Sequence, residues 1–125
     1  MIDYAIETKS GVQETVDGLQ VKLKENNFGI LHIYNLQEIF RSKGIEFGEY
    51  QILSVCNPGF AKEALDINLK AGALLPCKIS VYRDKQSTKV VLLRPTGIIA
   101  LLKDEKLRLL SKTVEDILVK VLKEL

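Results

Sequence analysis

Residues 77–93 read CKISVYRDKQSTKVVLL. Apolar and polar side chains alternate over Cys77–Tyr82, which is the period of a strand with one buried face. A polar turn over Asp84–Ser87 separates this strand from a second one over Lys89–Leu93. Two strands joined by so short a turn form an antiparallel hairpin. The hairpin argues against a doubly wound parallel sheet, in which strands and helices alternate strictly.

The rest of the chain supplies further strands and helices around this hairpin. Strands are predicted around Tyr4 and Ile6, over Phe28–Tyr34 and over Phe47–Cys56. Helices are predicted after Ser10, after Asn35, from Asn57 to about Gly72, briefly after Pro95, and from about Asp104 to the C-terminus. All but the one at Pro95 begin at a Ser, Asn or Asp, whose side chain can cap a helix. The pattern predicts an α+β fold with a mixed or antiparallel sheet of about five strands, helices packed mainly on one face and a long C-terminal helix.

The composition is that of an ordinary globular domain. The 125 residues are 46% hydrophobic and 27% charged, which suits one core, so we expect a single domain over residues 1–125. A net charge of +2 without a basic run predicts no nucleic-acid partner. No stretch resembles a membrane span, and the start, Met1-Ile2-Asp3-Tyr4, lacks a signal-peptide pattern. We therefore expect a cytoplasmic protein with no membrane partner and with reduced cysteines.

The sharpest local feature is the sequence Cys56-Asn57-Pro58, at the end of a predicted strand. Asn57 and Pro58 fit the cap and the first position of a helix. A thiol just before a helix N-terminus lies near free N–H groups and the positive end of the helix dipole, and both lower its pKa. Cys56 is therefore a candidate reactive thiol. The alternative is that Cys56 is a small buried residue at a strand end.

A second cysteine, Cys77, follows Pro76 at the start of the hairpin. It has the same parity along its strand as Ile79 and Val81, which directs it toward the core. Its spacing from Cys56 fits neither a Cys-x-x-Cys redox motif nor a zinc ribbon. The two thiols approach each other if the strands that carry them are antiparallel neighbours, and they lie at opposite ends of the sheet if those strands are parallel.

His32 is the only histidine in the sequence. With Cys56 and Cys77 it would make a three-ligand metal site, but no fourth ligand follows from the spacing, and we predict no metal and no cofactor. The sequence has no glycine-rich nucleotide motif, P-loop or nucleophile elbow. We therefore predict no catalytic constellation, and an enzyme is the less favoured class.

The two cysteine turns, with the residues that follow them, resemble those of a known family. The residues that carry the resemblance are Cys56-Asn57-Pro58 with Ala61 and Leu65, and Leu74-Leu75-Pro76-Cys77 with Ile79-Ser80-Val81-Tyr82. They are similar to the domain of unknown function 302 family, over a stretch from Tyr4 to about Leu102 that leaves out the C-terminal helix. The resemblance implies a small α+β domain, a tendency to form homodimers and no established activity.

Three functions of different classes remain open. The favoured one is a small-molecule binding module with a mostly apolar pocket, in which the turns at Asn57, Pro58 and Pro76 and the side chain of His32 form a polar rim. The second is a redox or sulfur-relay protein that uses Cys56 with Cys77 as its partner. The third is a dimeric interaction domain whose cysteines only pack. We favour the first because a catalytic thiol needs a base or a second exposed cysteine.

Overall fold

The computed structural model describes residues 2–125, which form an α+β fold. The strands are β1 Asp3–Thr8, β2 Gly29–Asn35, β3 Tyr50–Cys56, β4 Cys77–Asp84 and β5 Ser87–Leu93. The helices are α1 Val12–Glu25, α2 Leu36–Arg41, α3 Pro58–Ile67, α4 Pro95–Ile99 and α5 Glu105–Lys123, with short 3₁₀ segments at Leu69–Leu74 and Ala100–Leu102. The predicted fold class, including the long C-terminal helix, is confirmed.

The five strands form one antiparallel sheet in the order β1-β5-β4-β3-β2. The predicted hairpin is β4 and β5, in which Asp84 pairs with Ser87 across a turn of two residues. Lys85 adopts a left-handed conformation in this turn, with φ of 59°. The sequence left open whether Cys56 and Cys77 lie near each other. The pairing of β3 with β4 is antiparallel, which brings the end of β3 and the start of β4, and so the two cysteines, to the same end of the sheet.

One face of the sheet is covered by α1 and α5. Apolar residues recur along both helices at the spacing of one helical face, and these residues are buried against the middle strands. The core residues from the helices are Val12, Val16, Leu19, Leu23, Val114, Leu118, Val121 and Leu122. Those from the strands are Leu53, Val55, Ile79, Val81, Val90 and Leu92. Fully burying each such side chain stabilises the fold by roughly 1.5–3 kcal/mol.

On the other face of the sheet, the middle is not covered by any helix of the described residues 2–125. The strand register places one row of side chains across the whole sheet on this face: Tyr34, Ile52, Ser80, Val91 and Ala5. All are uncharged, and all are exposed or half-buried. The packing of helices mainly on one face, as predicted, therefore leaves an uncharged row on the second face.

Three of the four predicted helix caps are present. The side chains of Asn35, Asn57 and Asp104 each accept a hydrogen bond from the backbone N–H three residues later. The cap predicted at Ser10 is wrong. Gly11 is the N-cap of α1 and has no side chain to offer, while the Ser10 carbonyl accepts a hydrogen bond of 2.7 Å from the Thr88 hydroxyl. This contact with β5 holds Ser10 outside the helix.

The structure also differs from the prediction at two element boundaries, the start of β3 and the end of α3. β3 begins at Tyr50 rather than Phe47, because the Phe47 carbonyl accepts from the Gln37 side chain and its ring packs against Phe40, with centroids 4.9 Å apart. The helix that begins at Pro58 ends at Ile67 rather than near Gly72. Asn68 stops it, since its backbone is extended and its side chain caps the 3₁₀ segment that follows.

A buried carboxylate joins α4 to α5. Glu115, 5% exposed, lies on α5 among apolar residues. Its Oε1 atom accepts hydrogen bonds from the backbone N–H of Thr96 at 3.1 Å and from the Thr96 hydroxyl at 2.6 Å. These bonds satisfy a backbone donor at the start of α4 that has no partner inside the helix. Glu115 therefore fixes the turn between β5 and α4 against α5.

We expect Glu115→Ala to lower the free energy of unfolding by about 1–3 kcal/mol, because the Thr96 N–H loses its charged acceptor in a buried place. Asp116→Ala is the matched control, since Asp116 is exposed and pairs only with Lys112 at the surface. Its effect is expected to stay below about 1 kcal/mol. Urea denaturation of both variants tests this, and equal losses would contradict the role given to Glu115.

Candidate functional site

A cavity of about 320 Å³ lies where β3 ends and β4 begins. Its walls include residues from both strands, from α3 and the 3₁₀ segment that follows it, and from α4 and α5. The segments are far apart in the sequence, and the antiparallel register brings them to one end of the sheet. Most of the lining is apolar, as in pockets that bind small organic molecules.

Small side chains leave this space open. Ala61 and Ala64 of α3 and Ala71 and Ala73 of the 3₁₀ segment all line the cavity. Larger apolar side chains line the rest of it, including Phe60 of α3, Leu74 of the 3₁₀ segment, and Ile99 and Val114 from α4 and α5. A methyl group reaches far less deeply than a leucine, so alanines at four lining positions leave space that larger side chains would fill.

Both cysteines line the cavity. Val55 pairs directly with Cys77 across β3 and β4, so these two side chains lie on the core face. Cys56 is the next residue along β3 and pairs with Gly29 of β2. Since successive side chains of a strand point to opposite faces, the Cys56 side chain diverges from that of Cys77. The two cysteines are close neighbours with diverging Cβ directions, which disfavours a disulfide between them without movement of the backbone.

The turns next to the cysteines are held by hydrogen bonds. The Asn57 side chain accepts from the Phe60 N–H at 3.1 Å and donates to the Asn27 carbonyl at 3.0 Å, which ties the start of α3 to the end of α1. Pro58 occupies the first turn of α3, is exposed and does not line the cavity. Pro76 does line it, and the Leu75–Pro76 peptide bond is cis.

His32 lies elsewhere. It pairs with Ser54 on the face of the sheet opposite Val55 and Cys77, and its ring packs edge-on against Tyr34 with centroids 4.4 Å apart. It is not among the residues that line the cavity, so the expected rim of cysteine turns and His32 does not form. Within residues 2–125, no group of three or more His, Cys, Asp or Glu side chains is placed to hold a metal ion.

Comparison with known proteins shows the family. The family model for the domain of unknown function DUF302 matches residues 4–125. The crystal structure of an uncharacterized conserved DUF302 protein from Bacillus stearothermophilus is 33% identical, with a TM-score of 0.95 over 98% of this chain and 97% of that one. This chain belongs to the DUF302 family. No curated protein is significantly similar to it. The resemblance carried by the cysteine turns is confirmed, and the match extends through α5, farther than those turns implied.

Burial sets the acidity of both thiols in this DUF302 domain. It raises the pKa of the Cys56 thiol above its ordinary value of 9.0. It also raises the pKa of Cys77, to about 11, and a nearby Cys56 thiolate adds to that shift. The direction for Cys56 is opposite to the one expected from its place before a helix. Both thiols are therefore protonated near neutral pH, and neither has the lowered pKa of an activated nucleophile.

Sequence reasoning on this DUF302 domain found the turns but missed most of the cavity. The alanines of α3 and the residues that α4 and α5 contribute carry no motif. One signal was available, namely the concentration of small residues over 61–73, which span the end of α3 and most of the 3₁₀ segment and also include large apolar residues. In the residues that the structure describes, no helix is long and apolar enough to cross a membrane.

We expect iodoacetamide to label both native thiols slowly at pH 7, because only the thiolate reacts and burial raises both pKa values. Labelling of Cys56 is expected to accelerate as the pH rises past 9, and Cys77 is expected to stay slower than Cys56 throughout. Mass spectrometry locates the label, and the chain in denaturant supplies the control rates. Rapid native labelling of Cys56 below pH 8 would contradict this and favour thiol chemistry.

Proposed function

We propose that this DUF302 domain is a small-molecule binding module whose site is the cavity beside the two cysteine turns. The observation that carries the proposal is the cavity itself, which is about 320 Å³ in volume and lined mostly by apolar side chains. Its volume falls at the lower end of the range of about 300–1,000 Å³ that is usual for ligand pockets. Transfer of an apolar ligand into it is favoured by about 25 cal/mol for each Å² of apolar surface removed from water.

The thiol-relay hypothesis has less support. A relay through Cys56 and Cys77 requires thiols that can meet and at least one that ionises readily. The two side chains diverge across the sheet, and burial raises the pKa of each. We therefore assign the cysteines to the wall of the binding site. The single domain over residues 1–125, the cytoplasmic location and the lack of a nucleic-acid partner stay predictions.

The binding proposal can be tested with 1-aminonaphthalene, a small, neutral, apolar fluorophore whose emission shifts to the blue in apolar surroundings. We expect saturable binding to the native protein. Ala61→Phe is expected to weaken binding by at least about tenfold, because a phenyl ring on α3 would occupy the space that Ala61 leaves open. A fluorescence titration of each variant measures the dissociation constant.

Ala100→Phe is the matched control. Ala100 is exposed, lies in the second 3₁₀ segment and does not line the cavity, so its variant is expected to bind the fluorophore as the parent does. Thermal unfolding checks that both variants remain folded. The proposal fails if the fluorophore does not bind, or if a folded Ala61→Phe protein binds it with the parent's affinity.

A second function, homodimerisation, is supported by a different observation. We propose that two copies pair through the open face of the sheet, where the row from Tyr34 to Ala5 crosses all five strands without a charge. Tyr50 and Tyr82 add a stacked aromatic pair beside it, with centroids 4.9 Å apart. The rows on either side of it on the same face contain Lys78 and Lys89. An uncharged row flanked by charged residues fits an interface between identical subunits that has an apolar core and a polar rim.

We expect the parent protein to sediment as a dimer at micromolar concentration and Tyr34→Glu to sediment as a monomer, because the new charge would be buried without a partner. Tyr34 is 42% exposed in the single chain. Leu109→Glu is the control, since Leu109 is exposed on α5, away from the open face. A monomeric parent, or a dimer that Leu109→Glu disrupts as strongly as Tyr34→Glu does, would overturn this assignment.

A further inference from the structure

We propose that the dimer interface extends from the open face of the sheet over α2 and the loop that joins it to β3, residues 36–49, which together are called the α2 arm. This inference rests on the proposed homodimerisation, which it sharpens by naming a further surface that a second copy covers. It depends on the exposed apolar side chains of the arm, the contacts that hold them, their continuity with the open face, and the arm's charges.

The α2 arm exposes large apolar side chains. Every residue from Arg41 to Glu49 is exposed, although this stretch includes Ile45 and Phe47, whose exposed fractions are 53% and 48%. Ile39 of α2 is 44% exposed. Single exposed apolar residues are scattered over most protein surfaces, but a concentration of them marks an interaction site. The arm therefore has the composition of a surface that a partner covers.

Hydrogen bonds fix the arm in place. The turn that ends α2 has Gly44 in a left-handed conformation, with φ of 76°, and the Ile45 N–H donates to the Phe40 carbonyl at 2.9 Å. The Gln37 side chain donates to the Phe47 carbonyl at 3.1 Å. The apolar side chains therefore project from an ordered turn. A partner that covers them has little additional chain to order, which lowers the entropic cost of association.

A series of aromatic rings joins the arm to the open face of the sheet. Phe40 packs edge-on against Phe47, and the Phe47 ring lies 6.2 Å from that of Tyr50, measured between centroids. Tyr50 in turn stacks on Tyr82 at 4.9 Å. Tyr50 and Tyr82 are register partners in the row next to the uncharged row of the open face. The arm and the uncharged row therefore belong to one continuous surface.

A stable dimer needs more surface than the open face supplies. Stable interfaces take about 20–30 residues from each partner. The uncharged row has five residues, the row of Tyr50 and Tyr82 has four, and the row of Lys78 has five, which together fall short of that number. The row of Lys78 also includes the charged Asp3. The arm, which continues the open face at the side of Tyr50 with apolar side chains, is therefore the direction in which the interface extends.

The charges of the arm suit a second copy of the chain. The bases are Arg41 and Lys43, and the acids are Glu38, Glu46 and Glu49. The ion pairs found within residues 2–125 do not include any of them. In a two-fold symmetric contact one surface meets its own copy, so an acid of one arm can pair with a base of the other. A partner of a single charge would instead meet like charges on the arm.

Tryptophan fluorescence tests whether the partner covers the arm, because the sequence contains no tryptophan. Phe47→Trp keeps an aromatic ring at an exposed position, and its emission in the dimer is expected to lie to the blue of the emission from the same substitution in the Tyr34→Glu monomer. Val21→Trp is the matched control, since Val21 is 57% exposed on α1, which packs on the other face of the sheet. Its emission is expected to be the same in both backgrounds.

Phe47→Glu is expected to weaken dimerisation by at least about tenfold in sedimentation, because the new carboxylate would be buried against the partner. Binding of 1-aminonaphthalene is expected to stay within about twofold of the parent, since the arm adjoins the start of β3 and the cavity lies about 20 Å away at its end. Val21→Glu is the matched control and is expected to leave both properties unchanged. Thermal unfolding checks that both variants remain folded.

The possible results separate the two proposals. If the parent is a dimer that Tyr34→Glu disrupts, but Phe47→Trp emits at the same wavelength in dimer and monomer, the dimer through the open face stands and its extension over the arm is overturned. Equal effects of Phe47→Glu and Val21→Glu on dimerisation also overturn the extension. If the parent sediments as a monomer, the proposed homodimerisation fails and this inference fails with it.

Discussion

The antiparallel pairing of β3 with β4 is the constraint on which the rest of this structure depends. Val55 lies opposite Cys77, so the turn that follows β3 and the turn that precedes β4 meet at one end of the sheet. The chain enters α3 from the end of β3 and returns to β4 through a 3₁₀ segment. The helix α3 and the 3₁₀ segment therefore both lie beside these strand ends. The cavity follows from this arrangement, because its walls are the segments that the pairing brings together.

The main core and the region around the cavity are packed with side chains of different size. Beneath the middle of the sheet, α1 and α5 bury large aliphatic side chains against the strands. The first turn of α5 meets α3, α4 and the 3₁₀ segment in a second, smaller apolar cluster built around Ala64, Ala71, Ile99 and Leu107. Two of its buried members are alanines, so the second cluster fills less space than the first. Glu115 holds α4 to α5 near this junction through its bonds to Thr96.

The elements of the fold that were predicted correctly from the sequence depend on local patterns. Alternation over 77–93, the capping asparagines at 35 and 57 and the stripe on α5 each depend on neighbours within one or two turns of chain, and each is present. Ser10 shows where such reasoning stops, because a hydrogen bond from Thr88, distant in sequence, overrides its capping preference. Like the contact at Ser10, the cavity depends on residues that are distant in sequence. Its walls come from separate segments, and no local pattern records that residues of α4 and α5 line the same cavity as the alanines of α3.

The two leading hypotheses for the cysteines make opposite physical demands. A thiol that reacts at neutral pH needs water, a cation or free N–H groups close to its sulfur, because these stabilise the thiolate. A pocket that binds an aliphatic body needs the reverse, namely walls that exclude water and carry little charge. Burial that raises the pKa of Cys77 to about 11 also makes its side chain a good apolar wall. Because the same desolvation favours a neutral pocket and disfavours a thiolate, evidence for burial of these thiols is evidence for binding over thiol chemistry.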